Sequence, residues 1–169
     1  ASTSPIEIRL YTKQRLADDY SSAANESARD LKTKWECAGK VSAEDISSCW
    51  RKTGSKSAEL QASIQKVISL FDQSEAYEAR NATRYYKSVF LISFGQFCES
   101  ITTLDSIVNP EKELQRYHQV PLQKMESIYH CLKEKKPHEF PADIRRAHEV
   151  IGSMFSNFTY LTRDRNYAQ

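Results

Sequence analysis

Apolar and small residues recur at Leu16, Tyr20, Ala24, Ser27, Leu31, Trp35 and Ala38, in steps of three and four. That spacing describes one face of a helix, and no glycine or proline interrupts the chain from Ile6 to Ala38. Gly39 fits the left-handed position just past a helix end. Ser42 reads as the next N-cap, followed by Glu44 and Asp45, where negative charge suits the helix dipole. A short second helix is predicted from there to about Lys52, with Gly54 ending it. Residues 55–108 contain no proline and only Gly95. Their first half repeats at Leu60, Ile64, Val67, Ile68 and Phe71, and their second at Tyr86, Phe90, Phe94, Phe97, Ile101, Leu104 and Val108. The polar run between them predicts two antiparallel helices with a turn within 73–82; a single bent helix is the alternative.

Asn109-Pro110-Glu111 is a helix start: a capping side chain, proline at the first helical position, then an acid. That helix is expected to run into Pro121, which ends or kinks it. A further helix begins there, with Met125, Ile128, Tyr129 and Leu132 as its apolar stripe, and stops at Pro137. Pro141 opens the last, with Ile144, His148, Ile151, Phe155 and Phe158 in register. The expected architecture is all-α: one domain over 1–169, an antiparallel bundle of five to six helices. Residues 1–5 and 163–169 are expected to be frayed.

The chain has 169 residues, enough for one ordinary core, and its Gly (4) and Pro (5) contents are low, against a turn-rich β fold. A net charge of +2 gives no reason to expect nucleic acid or a membrane surface as partner. The longest apolar run, Val89–Ile92, is far too short to span a bilayer. No leader is visible, and Ala1–Pro5 reads equally as a mature end after cleavage or as an arbitrary start.

Four cysteines allow three pairings. Cys37 and Cys49 lie equally far on either side of a break near residue 43, and Cys98 and Cys131 mirror one another about a connection near 114. Residues mirrored about a hairpin face each other across it, so the expected bridges are Cys37–Cys49 and Cys98–Cys131. Trp35 and Trp50 then cover the first with apolar surface. Sequons stand at Asn25, Asn81 and Asn157, and the expected turn would expose Asn81. Paired cysteines and sequons together predict a secreted, extracellular glycoprotein.

No chemistry-bearing motif competes with this. Zinc sites want close pairs such as C-x-x-C or H-x-x-x-H, and none occurs. His148-Glu149 begins like a zincin helix, but Gly152 stands where the second histidine belongs. No nucleophile elbow, phosphate loop or dinucleotide fingerprint is present. Asp18-Asp19 and Glu44-Asp45 read as solvated helix faces. We therefore expect no enzyme, no metal and no cofactor.

The four cysteines and the stripes between them, over residues 30–135, resemble the insect secreted four-cysteine helical proteins that include the tsetse EP-type domain. The resemblance implies an extracellular role in insect fluid, gut or saliva, with no catalytic residues to carry over. Helical cytokines are a second analogy of similar length, though these cysteines do not align with their pattern.

Two functions follow as expectations. The first is binding of an extracellular protein through a mixed aromatic and basic surface on 117–146, with Tyr117, Lys133, Lys135, Lys136, Arg145 and Arg146 as contacts. Helix-end cations that complement the dipole are the plainer account of those charges. The second is carriage of a small apolar ligand such as a lipid, lined by Phe90, Phe94, Phe97, Ile151, Phe155 and Phe158. Gly95 and Gly152 lie within these aromatic stripes, and a helical glycine costs up to about 1 kcal/mol against alanine. Close helix crossing is the simpler account of them, and ligand space the other.

Overall fold

The computed structural model describes residues 5–108 and 119–134, with side chains from Thr12 onward. Among the described residues there are six α-helices, one 3-10 turn and no strand. The chain divides into two compact units, Ala1–Gly95 and Gln96–Gln169.

The first unit contains α1 (Pro5–Lys34), the 3-10 turn Glu36–Gly39, α2 (Ala43–Thr53), α3 (Ala58–Tyr77) and α4 (Asn81–Ser93). Two of these helices start on the same tripeptide. Ser42-Ala43-Glu44 opens α2, where the Ser42 hydroxyl accepts from the Asp45 N–H at 3.1 Å. Ser57-Ala58-Glu59 opens α3, where the Ser57 hydroxyl accepts from Leu60 at 3.1 Å. Each cap satisfies a backbone donor that the helix itself leaves without a partner.

The turn between α3 and α4 occupies Glu78–Arg80, inside the expected window, so Ala58–Tyr77 and Asn81–Ser93 form two helices rather than one bent one. They run antiparallel: Glu75 pairs with Arg84, Asp72 with Lys87 at 2.7 Å, and Phe71 packs on Phe90. Arg80 closes the turn against α1 through Asp18, and it also bonds Glu78 at 3.1 Å. Glu78 first, and then Asp18, hold the Arg80 guanidinium above its ordinary pKa.

Helix α1 packs on α3 through small residues. Ala17, Ala24, Ala28 and Leu31 are buried, while Leu16, Tyr20 and Ser27 of the expected face are half-buried. Alanines let the two backbones approach closely enough for the Ser74 hydroxyl to donate to the Ala17 carbonyl at 2.7 Å. Tyr20 and Tyr77 stack with centroids 5.7 Å apart at one edge of this contact.

Four expectations need correction here. Helix α1 stops at Lys34 instead of reaching Ala38, and residues 36–39 tighten into the 3-10 turn. Among the described residues the glycines of positive φ are Gly54 and Gly95, and Gly39 is not one of them. The predicted helix through 83–108 is broken. Gly95 adopts φ +73° and ends α4, and α5 (Phe97–Asp105) begins two residues later. Tyr86, placed on the apolar stripe by its spacing, is exposed.

The core of the first unit gathers around Trp50. Its indole packs on Trp35 and Phe94, and Phe94 packs on Phe90 at 5.0 Å. The indole N–H donates to the Ser93 carbonyl at 2.9 Å, a bond buried from water. Leu60, Ile64, Val67, Phe71 and Leu91 complete the core. Each such side chain contributes about 1.5–3 kcal/mol by leaving water. The Cys37–Cys49 bridge, with Cα atoms 5.4 Å apart, ties the 3-10 turn to α2 beside this cluster.

The second unit contains α5 and α6 (Val120–Glu134). They lie antiparallel in a constant register: Cys98 bonds Cys131, Phe97 stacks on His130, Ser100 meets Ser127 at 2.9 Å, and Asp105 pairs with Lys124 at 3.3 Å. Both bridges join the expected partners. Pro121 falls in the first turn of α6, where its missing N–H removes nothing from the helix. The helices predicted before Pro121 and after Pro141 lie outside the described residues.

Candidate protein-binding face

Helix α6 meets α5 along a line set by its cysteine. Val120, Ser127, Ile128, His130 and Cys131 are buried. From Leu122 to Cys131 is about 2.5 helical turns, so those two side chains leave the helix on opposite sides. Leu122, Met125 and Tyr129 are accordingly exposed, at 45%, 36% and 54%. They follow one another at steps of three and four, and therefore lie in a row on one helix surface. The Lys133 ammonium extends the row, 4.3 Å above the Tyr129 ring. Glu126 flanks it. Desolvation by its surroundings holds the Glu126 carboxyl above its usual range.

This arrangement revises the apolar stripe predicted for the helix. Met125 and Tyr129 were expected to share the core side with Ile128, and they stand outside it. Leu132, also on that stripe, is half-buried. Hydropathy alone centred the stripe more than about a third of a turn away from the true inner face, because it gave Cys131, His130 and Ser127 little weight. The missed residue is Leu122. Its signal was already present in the bridge: a Cys131 that must face Cys98 points Leu122, Tyr129 and Lys133 away.

Of the other residues expected to bind a partner, Tyr117, Lys135, Lys136, Arg145 and Arg146 lie outside the described residues. Among the expected apolar-ligand residues, Phe90 and Phe94 are fully buried in the first unit against Phe71, Trp50 and each other. Phe97 is buried in the second unit on His130. Ile151, Phe155 and Phe158 lie outside the described residues. Asn25 sits half-buried on α1, and Asn81 is the first residue of α4, also half-buried. The predicted turn was expected to expose Asn81; helix α4 instead begins on it, and the third sequon residue, Thr83, is buried. Asn157 lies outside the described residues.

Among the described residues, no three His, Cys, Asp or Glu side chains gather in a way that would hold a metal ion. No described helix is long and apolar enough to cross a membrane. Comparison with protein-family models gave no match, and neither the curated proteins nor the solved structures yielded one.

Proposed function

We propose that this is an extracellular, non-catalytic protein that binds another protein through the outer face of α6. The observation that carries the reading is the exposed row Leu122, Met125 and Tyr129, closed at one end by Lys133. Contiguous apolar side chains on a polar surface mark interaction sites more often than scattered ones do. Tyrosine and methionine are enriched where proteins meet, and an aromatic ring with a cation over its face supplies both apolar area and direction. The extracellular setting is supported by the two disulfides, which persist in oxidising compartments. The resemblance to insect secreted four-cysteine helical proteins belongs to the same proposal and points to plasma, gut or saliva as the fluid to test.

The test is capture from such a fluid by the glycosylated chain and by a Leu122→Ser/Tyr129→Ser variant with unchanged circular dichroism. A partner retained by the first and lost by the second is the expected result. Equal capture by both, or none by either, would sink the proposal. The competing proposal is a carrier of a small apolar ligand. Lipid extracted in stoichiometric amount from protein made in eukaryotic cells would favour it.

A further inference from the structure

The loop between the 3-10 turn and α2 has a role that the α6 face does not require. We propose that the Lys40–Val41 peptide bond is a processing site for a serine endopeptidase with an acidic specificity pocket. Cleavage there gives a two-chain protein joined through Cys37–Cys49. Water adds across the bond, Lys40 gains a carboxylate and Val41 an α-amine, and no other bond changes.

Accessibility is the first support. Gly39, Lys40, Val41 and Ser42 are all exposed, and Val41 reaches 98%, the most exposed large apolar side chain described. Backbone shape is the second. Lys40 (φ −66°, ψ 150°) and Ser42 (φ −84°, ψ 146°) are extended on either side of Val41. Enzyme clefts that read a peptide through its main chain take it in an extended form. The residues before Lys40 must unwind to follow, and they belong to a single 3-10 turn whose closing bond, Lys40 N–H to the Cys37 carbonyl, is 3.4 Å long. Such turns are short and weakly bonded, so they open locally at little cost.

Selectivity is the third. Most described lysines and arginines lie within helices, where the backbone is coiled and not extended, Lys32, Lys34, Arg51 and Lys52 in last turns among them. Three do not. Lys56 is half-buried with its ammonium 4.7 Å from the Trp50 ring, and Arg80 is half-buried between Asp18 and Glu78. Lys40 alone among them is exposed. Its ion pair with Glu36, at 3.0 Å, is itself exposed and holds it only weakly. No acid stands at residues 38, 39, 41 or 42 to repel an acidic pocket.

The bridge decides the product. Cys37 precedes the bond and Cys49 follows it, so the fragment carrying α1 stays covalently attached to the remainder. Trp50 keeps its packing on Trp35 across the cut.

The test is limited digestion of the oxidised full chain with trypsin, read by intact mass before and after reduction. Among bonds of the described residues, Lys40–Val41 is cut first, at least about tenfold faster than any helical lysine or arginine bond, because cleavage tracks the population of the open form. Before reduction the product has the parent mass plus one water. Reduction releases residues 1–40 and 41–169, the latter beginning Val41-Ser42-Ala43. Lys40→Gln and, independently, Val41→Pro abolish this product with unchanged circular dichroism. Earlier cutting at a helical lysine or arginine, or an intact Lys40–Val41 bond while helical bonds are cut, would overturn the proposal.

Discussion

A Cβ placed on Gly95 would stand 3.0 Å from Cδ1 of Trp50. The same glycine has φ +73°, so two independent constraints exclude a side chain there. Trp50 therefore closes the core of the first unit over the residue that ends α4. Its indole N–H fixes the contact by donating to Ser93, two positions earlier. Gly95→Ala should lower stability by about 1–3 kcal/mol, the range for strain at a left-handed residue. The tryptophan emission should change with it. Gly39→Ala is the control: nothing lies within 4 Å of its added Cβ and its φ is not positive. That variant should unfold within about 0.5 kcal/mol of the parent. Urea titrations followed by fluorescence compare the three.

Trp50→Phe keeps an aromatic ring in the core but removes the donor to the Ser93 carbonyl. A buried acceptor left without its partner costs about 1–3 kcal/mol. The midpoint of chemical unfolding should fall accordingly. An unchanged midpoint would mean that the 2.9 Å bond contributes nothing.

The two bridges should differ in what they contribute. Cys37 and Cys49 are separated by 12 residues, and Cys98 and Cys131 by 33. On the chain-entropy estimate the first loop contributes about 3 kcal/mol and the second about 4. Paired Cys→Ala variants, compared by thermal unfolding, should show the Cys98/Cys131 pair as the more damaging.

Close approach of α1 and α3 depends on alanine. Ala24 is fully buried in that contact. Ala24→Leu adds volume where the backbones already meet, and overpacking of this kind costs about 1–3 kcal/mol. Ser74→Ala, which removes the bond to the Ala17 carbonyl, should cost about 1 kcal/mol. Calorimetry of both variants checks the order.

Glu126 gives a pH signature. Its carboxyl is held above its ordinary value of 4.5 by desolvation. The folded chain therefore binds that proton more tightly than the unfolded chain does, and this contribution to stability falls as pH rises above 4.5. Glu126→Gln removes the effect, so the variant should gain on the parent between about pH 4 and about pH 7. The residue is largely exposed, so the gain is small. Urea midpoints of the pair at the two pH values measure it.

The class of fold, both bridges, the Ser42 cap and the window containing the α3–α4 turn were legible in the sequence. Each depends on local signals or on symmetry about a chain break: spacing of apolar residues, a capping hydroxyl, two cysteines equidistant from a turn. Neighbours in sequence carry that information. The outer row of α6 was not legible from hydropathy, because Leu122, Met125 and Tyr129 are as apolar as residues that are buried. It was half-written in Cys131, whose bridge fixes how the helix is turned.

By itself, then, the sequence determined that this chain is helical and where its sulfurs meet. Only tertiary structure decided that Gly95, not Gly39, takes the left-handed backbone, that α1 yields to a 3-10 turn beside a disulfide, and which side of α6 faces water. The reason is physical. A helix repeats every few residues and so announces itself locally, whereas the rotation of that helix and the space beside a glycine are set by atoms distant along the chain, such as the Trp50 indole and the Cys98 sulfur.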